Sequence, residues 1–127
     1  LARSSRPPQA AALRIVRQVT AGLAAAHAVG VLHRDIKPEN VMLDGSGDAR
    51  LMDFGIARPV VRVADGLTQV GMVVGSPLYS PPEQLNGDPV DERADVFAIG
   101  VVLYELLTGQ RPYPGRNPIE IYMAQIN

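Results

Sequence analysis

Two short stretches of the chain, "HRDIKPEN" at residues 33–40 and "MDFG" at residues 52–55, carry polar side chains suited to chemistry at a metal ion. Asn40 and Asp53 offer an amide oxygen and a carboxylate, ligands that suit a hard cation such as Mg²⁺, which keeps several of its waters. Asp35 offers a second carboxylate, which could accept the proton of an attacking hydroxyl group. Together these residues predict a metal-assisted group transfer.

Lys37 is the only lysine in the chain, because every other basic side chain apart from the two histidines is an arginine. A lysine ammonium can follow a moving phosphoryl group as a point charge, whereas a guanidinium would impose a planar fork. The use of lysine at this one position therefore indicates a chemical role. Taken singly, a solvated surface lysine is the more common outcome.

The elements that position these residues begin with a predicted β-hairpin. Two apolar runs at residues 40–44 and 49–53 flank the turn sequence "GSGD". In the simplest register Asp44 lies opposite Ala49 across a four-residue turn, and Asn40 then lies opposite Asp53. This register would bring both candidate metal ligands to the open end of the hairpin.

A helix is predicted before the hairpin, from Gln9 to about Val29, because apolar residues recur there at helical spacing. Gly30 is expected to end it. Its apolar face would contain Ala12, Ile15, Val16, Val19, Leu23 and Ala26.

Two further helices are predicted after residue 90. The first should begin near Asp91 or Glu92 and run to Leu107, and we expect it to be buried on every side because it is apolar nearly all round. The second should begin at "NPIE", with Asn117 as its cap and Pro118 in its first turn. Its apolar face would contain Ile119, Tyr122, Met123 and Ile126.

The composition is that of a globular protein, with 127 residues, 46% apolar and 20% charged. A net charge of −1 gives no reason to expect nucleic acid or a membrane surface as a partner. Without cysteines, disulfides and thiolate metal sites are excluded. Because no signal peptide or membrane span is found, we expect a cytoplasmic segment, although the chain starts at Leu1 like an excerpt from a parent that could be anchored elsewhere.

Four stretches resemble, in order and spacing, the signature set of protein kinases: "HRDIKPEN", "DFG", "GSPLYSPPEQ" and "DVFAIGVVLYELLTGQRPYPG". The resemblance implies an α+β, mainly α-helical C-terminal lobe with a short hairpin carrying the catalytic and metal-binding loops. It implies that Asp35 is the catalytic base, that Asn40 and Asp53 hold Mg²⁺ or Mn²⁺, and that Lys37 contacts the transferred phosphate of ATP. Lysine followed by "PEN" resembles serine/threonine kinases, and the composition resembles bacterial kinases of the eukaryotic (Hanks) type.

The resemblance assigns roles to other residues of the site. Met42 stands where the family places an apolar side chain beneath the adenine of ATP. Ser76 and Glu83 are implied to position the protein substrate, although Pro81 replaces the alanine of the family's "APE" motif. Asp95 matches an aspartate that anchors the backbone of the catalytic loop, and a simple helix cap is the alternative.

Regulation is expected in the segment 56–80, which has no sustained period and is long for a connection. Thr68 is the candidate phosphorylation site, because Arg34 could pair with a phosphate there and order the segment. The two histidines are expected to be structural, with His33 packed in the core near Phe54 rather than bound to a metal, and His27 structural at best.

Two features of a kinase domain are missing from residues 1–127: a G-x-G-x-x-G loop and a second lysine to pair with a helix glutamate. We therefore expect a partial kinase domain, whose ATP-clamping N-terminal lobe lies in the parent chain and which is inactive, or nearly so, alone. The alternatives are a pseudokinase scaffold and a small-molecule phosphotransferase of the aminoglycoside type. Asp35, Asn40 and Asp53 could also be ordinary cap and turn residues.

Overall fold

The computed structural model describes residues 7–52 and 77–127. These residues are mainly helical with one two-stranded antiparallel sheet, as the sequence predicts. The elements are α1 (Gln9–Ala28), a 3₁₀ turn (Pro38–Asn40), β1 (Val41–Leu43), β2 (Ala49–Leu51), a second 3₁₀ turn (Pro77–Tyr79), α2 (Pro82–Leu85), α3 (Glu92–Thr108) and α4 (Pro118–Ile126). None of the helices in this described part is long and apolar enough to cross a bilayer.

Helix α1 has the predicted position and the predicted apolar face. Its fully buried residues lie three or four positions apart, so they form one stripe along the helix. The helix ends where Gly30 takes a left-handed φ of +81°, a conformation that glycine adopts without steric cost. The buried residues are Ala12, Ile15, Val19 and Leu23.

The core lies between α1, α3 and the hairpin. The buried stripe of α1 packs on α3 and on β2. Val41 and Ala49 supply the inward face of the hairpin, and the Pro77–Tyr79 turn adds the buried ring of Tyr79. Because the two short strands depend on α1 for this burial, the position of the hairpin is set by helix packing.

The predicted hairpin register is wrong by one residue. The backbone N–H of Asp44 donates to the carbonyl of Asp48 at 2.9 Å, so Asp44 pairs with Asp48 and not with Ala49. At the open end the N–H of Met52 donates to the carbonyl of Asn40 at 2.7 Å. Asn40 therefore lies opposite Met52, and Asp53 lies outside the described residues.

The cause of the shift is a three-residue turn instead of a four-residue one. Gly47 has a φ of +83° and donates its N–H to the Asp44 carbonyl at 2.9 Å, the arrangement of a tight turn followed by a left-handed residue. The Asp44 carboxylate accepts hydrogen bonds from the N–H groups of Asp48 and Ser46, and these bonds lower its pKa. Local bonds of this kind favour the shorter loop.

Helix α3 begins where predicted and ends at Thr108, one residue later than predicted, but the prediction of burial on every side is wrong. Asp91 caps the helix by accepting a hydrogen bond from the N–H of Arg93, and Gly109 ends it with a left-handed φ of +78°. Within the described residues, packing comes mainly from α1 and the Pro77–Tyr79 turn, which cover one side. Val96 on the other side remains 61% exposed.

Helix α4 begins at the predicted cap, where the side chain of Asn117 accepts a hydrogen bond from the N–H of Glu120. The predicted apolar face is wrong, because the inward residue is Ile121, which is 2% exposed. One turn later Gln125 donates to the carbonyl of Ser80 at 2.7 Å. Docking on α2 and the Pro77–Tyr79 turn therefore decides which face is buried, and Ile119, Met123 and Ile126 are exposed.

Replacing Gly115 with alanine should destabilise the docking of α4. A Cβ at this position would lie 2.8 Å from Cγ1 and 2.9 Å from the backbone N of Ile121, so the helix would have to shift. We expect a loss of about 1–3 kcal/mol in the free energy of unfolding, measured by urea denaturation. The matched control is Gly22→Ala in α1, where a Cβ meets nothing within 4 Å and helix propensity should raise stability. Equal stability of the Gly115→Ala variant and the unmodified protein would contradict this packing.

Candidate active site

The loop from residue 33 to residue 40 brings three of the four predicted chemical residues together. The Nζ atom of Lys37 lies 3.6 Å from Oδ2 of Asp35. The Nδ2 group of Asn40 donates to the backbone carbonyl of Asp35 at 2.7 Å and contacts its Oδ2 atom at 3.2 Å. Asp35 is 7% exposed and Asn40 is 5% exposed, so both side chains are held by the surrounding protein.

The conformational restriction of proline explains how the six consecutive residues 35–40 bend into this cluster. Lys37 is extended, with φ −160° and ψ 163°, as expected for a residue that precedes a proline. Pro38 then occupies the first position of a 3₁₀ turn, where its fixed φ is favourable and no N–H is needed. The turn closes with the N–H of Asn40 donating to the Lys37 carbonyl at 3.0 Å, which folds Asn40 back against Asp35.

The orientation of the Asn40 amide fits a metal ligand. Both contacts to Asp35 use the amide nitrogen, which can only donate hydrogen bonds. The carbonyl oxygen Oδ1 accepts no hydrogen bond from the described residues. It therefore keeps the lone pairs that a hard cation such as Mg²⁺ prefers.

Asp95, in α3, anchors the loop of residues 33–40 and is not a helix cap. Its carboxylate accepts hydrogen bonds from the backbone N–H groups of His33 and Arg34, both at 2.8 Å. Nε2 of His27 lies 2.9 Å from Oδ2 of the same carboxylate. Asp95 is 1% exposed, and the capping role at this helix belongs to Asp91. The anchoring interpretation is thus confirmed.

Arg34 holds an unusual backbone conformation directly before Asp35. Its φ of +71° makes it the one described non-glycine residue with a positive φ, a state that costs about 1–3 kcal/mol and needs support from its surroundings. The bond from its N–H to Asp95 supplies that support. Burial lowers the pKa of the Arg34 guanidinium, and the charge of Asp95 opposes this change.

His33 connects the loop to the end of β2. The side chain is fully buried, as predicted, and its Nδ1 atom accepts a hydrogen bond from the N–H of Asp35 at 3.0 Å. Nε2 must then carry the ring proton, which it donates to the Met52 carbonyl at 2.7 Å. His33 therefore positions Asp35 relative to the residue that precedes Asp53, while the predicted neighbour Phe54 lies outside the described residues.

The contact between His27 and Asp95 was missed by the sequence prediction, which treated His27 as structural at best. The two residues are 68 positions apart, so no local pattern predicts the contact. A second missed contact joins Tyr79 to α3, because the Tyr79 hydroxyl donates to Glu105, whose other carboxylate oxygen lies 3.9 Å from Nε of Arg111. These contacts fix the end of α1 and the Pro77–Tyr79 turn to the same helix, α3.

The remaining predicted site residues are placed in part. Met42 lies on the outer face of β1 and is 52% exposed, so a ligand could reach it. Glu83 lies in the first turn of α2 and is half-buried. Asp53, Thr68 and Ser76 lie outside the described residues, and their assignments stay predictions.

Comparisons with known proteins identify the relatives of this chain. The family model of the protein kinase domain matches residues 1–127. The chain is 42% identical over 125 residues to the serine/threonine-protein kinase PknL of Mycobacterium tuberculosis, which covers 98% of this chain and 31% of that protein. It is 44% identical over 115 residues to a probable serine/threonine-protein kinase of Corynebacterium efficiens, covering 91% of this chain and 17% of the relative. It is also 40% identical over 110 residues to PknB of M. tuberculosis, covering 87% and 18%.

Proposed function

The chain belongs to the protein kinase family, and we propose that the full-length protein transfers the γ-phosphate of ATP to serine and threonine hydroxyl groups of proteins. The chain spans less than a third of the curated relatives it matches. We propose that residues 1–127 are part of the C-terminal lobe and that the parent supplies the ATP-clamping lobe. The observation that carries this proposal is the cluster of Asp35, Lys37 and Asn40 on a loop anchored by Asp95.

In the proposed reaction Asp35 is the base. The substrate hydroxyl oxygen bonds to the γ-phosphorus of ATP, its proton passes to the Asp35 carboxylate, and the bond to the leaving ADP oxygen breaks. The ammonium group of Lys37 lies 3.6 Å from the Asp35 carboxylate and would stabilise the negative charge on the phosphoryl oxygens while the phosphoryl group is transferred. Two opposite charges placed side by side can thus serve the hydroxyl and the phosphoryl group at once.

The cofactor assigned to the site is Mg²⁺ or Mn²⁺ with ATP, held by Asn40 and Asp53. Protein kinases generally use both, and the Asn40 amide oxygen, which accepts no hydrogen bond from the residues that the structure describes, fits a hard cation. Bound metal would neutralise part of the phosphate charge. We assign Met42 to the adenine, since its exposed side chain lies on the outer face of the same hairpin.

Substrate binding and regulation are assigned to the second half of the chain. Ser76 and Glu83 would position the protein substrate, and the contacts of Tyr79 and Gln125 support the segment between them. Phosphorylation of Thr68 would order the segment of residues 56–80 by pairing with Arg34. We place this lobe in the cytoplasm, whether or not the parent is anchored to a membrane.

Two other functions compete with this proposal. A pseudokinase scaffold would have no need for Asp35, Lys37, Asn40 and Asp53 together. A small-molecule phosphotransferase of the aminoglycoside type shares a similar aspartate and asparagine, but "IKPE" and the "SPPE" stretch at residues 80–83 resemble protein kinases instead. Neither alternative accounts for the whole set of residues.

An acceptor assay tests the proposal. The full-length protein is given ATP labelled at the γ-phosphate, Mg²⁺, and a mixture of a serine- and threonine-rich protein with an aminoglycoside. We expect label on serine or threonine of the protein acceptor and none on the aminoglycoside, and little or no turnover from the 127-residue chain alone. Label on the aminoglycoside only, or ATP binding without transfer to any acceptor, would support the competing functions.

A further inference from the structure

We propose that Gln18, on α1, is a positioning residue for the phosphotransfer site because its amide holds β2 in the register that places Asn40 and Met52. The inference rests on the proposed function for its consequence in catalysis. Its structural part, the control of hairpin register by a helix side chain, stands on contacts that can be tested separately.

The Gln18 amide binds β2 with both of its polar atoms. Oε1 accepts a hydrogen bond from the backbone N–H of Ala49 at 2.7 Å. Nε2 donates to Oδ1 of Asp48 at 2.9 Å. The two partners are adjacent, so the amide pairs with the start of β2 much as a neighbouring strand would.

Backbone N–H groups along a strand of an antiparallel hairpin point alternately toward and away from the paired strand, which explains why the N–H of Ala49 needs this partner. Asp44 and Asp48 form one hydrogen-bonded pair, and Asn40 and Met52 form another. The pairs between them alternate between hydrogen-bonded and non-hydrogen-bonded, and Ala49 belongs to a non-hydrogen-bonded pair. The N–H of Ala49 therefore points away from β1, while the residue itself is only 8% exposed. A buried N–H without a partner is costly, and Gln18 provides the partner.

This contact discriminates between the observed register and the one that the sequence analysis predicted. In the four-residue turn Asp44 would pair with Ala49, and the Ala49 N–H would then point toward β1. Gln18 would lose its acceptor contact, and every β2 side chain would change face. Strands of three residues have little stability of their own, so a single helix side chain can decide the register.

The register reaches the active site through His33. In the observed register Met52 donates to the carbonyl of Asn40 and accepts from Nε2 of His33, both at 2.7 Å. The other ring nitrogen of His33 accepts the N–H of Asp35. A shift of β2 would therefore disturb both the metal ligand Asn40 and the proposed base Asp35.

The test changes the charge at position 48 as well as the side chain at position 18. Gln18→Glu keeps an acceptor for the Ala49 N–H but places a carboxylate beside that of Asp48. In the double variant Gln18→Glu with Asp48→Asn, the new asparagine amide can donate to the new glutamate. The control is Arg17→Ala, on the neighbouring exposed position of α1. All are made in the full-length protein.

We expect Gln18→Glu to lower kcat about tenfold and to raise the Mg²⁺ concentration needed for half-maximal rate, with KM for the protein acceptor unchanged. The double variant should recover to within about twofold of the unmodified protein. A Gln18→Glu variant with unchanged kcat and Mg²⁺ dependence would overturn the proposal, as would a loss that Asp48→Asn does not reverse.

Amide hydrogen exchange at Ala49 separates the two proposals. Gln18→Met has a similar length but cannot accept a hydrogen bond, so we expect faster exchange at Ala49 in this variant than in Arg17→Ala. If the unmodified protein transfers no phosphate but exchange at Ala49 is still faster in Gln18→Met than in Arg17→Ala, the proposed function fails and the register contact stands. Equal exchange rates at Ala49 in the two variants would reject the contact itself.

Discussion

Replacing Asp35 with asparagine in the full-length protein is expected to lower kcat about 10²–10⁴-fold, the usual contribution of general base catalysis. Asparagine has nearly the same shape but cannot accept the hydroxyl proton. The fold should survive, because the Asp35 carbonyl and N–H, which bind Asn40 and His33, belong to the backbone. The measurement is kcat for phosphate transfer to a protein acceptor, together with urea denaturation.

The matched control is Asp88→Asn, which makes the same chemical change on the exposed surface. It should leave kcat unchanged. If Asp35→Asn retained more than about a tenth of the activity, proton transfer to Asp35 could not be a main part of the mechanism.

The second large effect is expected from Asp95→Asn, a change deep in the protein. The Asp95 carboxylate accepts the backbone N–H groups of His33 and Arg34 on separate oxygens. An asparagine would turn its NH₂ group toward one of these donors and leave it unsatisfied, which costs about 1–3 kcal/mol for a buried group. Because Asp95 holds the two adjacent residues that set the positive φ of Arg34, weakening this anchor should lower kcat together with stability.

Asp91→Asn is the control for this variant, since it makes the same change four residues earlier at the start of the same helix. Asparagine and aspartate cap helices about equally well, so urea denaturation should show little change. If Asp95→Asn were as stable and as active as Asp91→Asn, the anchoring role of Asp95 would be wrong.

The cluster in the loop of residues 33–40 was predictable because its residues interact locally. Asp35, Lys37 and Asn40 lie within six positions, and Pro38 restricts the backbone between them. Their convergence is a property of a short segment. The same holds for the start of α4, where the Asn117 cap is a contact between residues three positions apart.

The contacts that the sequence did not predict are tertiary. The hairpin register depends on the contact with Gln18, some 30 residues before β2, as well as on the local bonds of the turn. The contact of His27 with Asp95 joins residues 68 positions apart. The buried face of α4 was reversed because its apolar residues lie on several sides, and Ile121 was selected by the elements that α4 packs against.

The exposed side of α3 was also not predicted, because it depends on tertiary packing. An apolar helix indicates that burial is favourable on every side, but the pattern cannot name the partners. In the part of the chain that the structure describes, α1 and the Pro77–Tyr79 turn bury residues such as Val101 and Leu106, while Val96 and Tyr104 are exposed. The hydrophobic pattern therefore predicted the helix and its ends better than it predicted which sides of the helix are buried.

The most direct test of the proposed chemistry is a crystal structure of the full-length protein with Mn²⁺ and a non-hydrolysable ATP analogue, in which anomalous scattering locates the metal. We expect a Mn²⁺ ion in contact with both the side-chain oxygen of Asn40 and the carboxylate of Asp53, with the Asp35 carboxylate facing the terminal phosphate. A well-ordered domain that binds the nucleotide while these side chains point to different regions would contradict the phosphotransfer site.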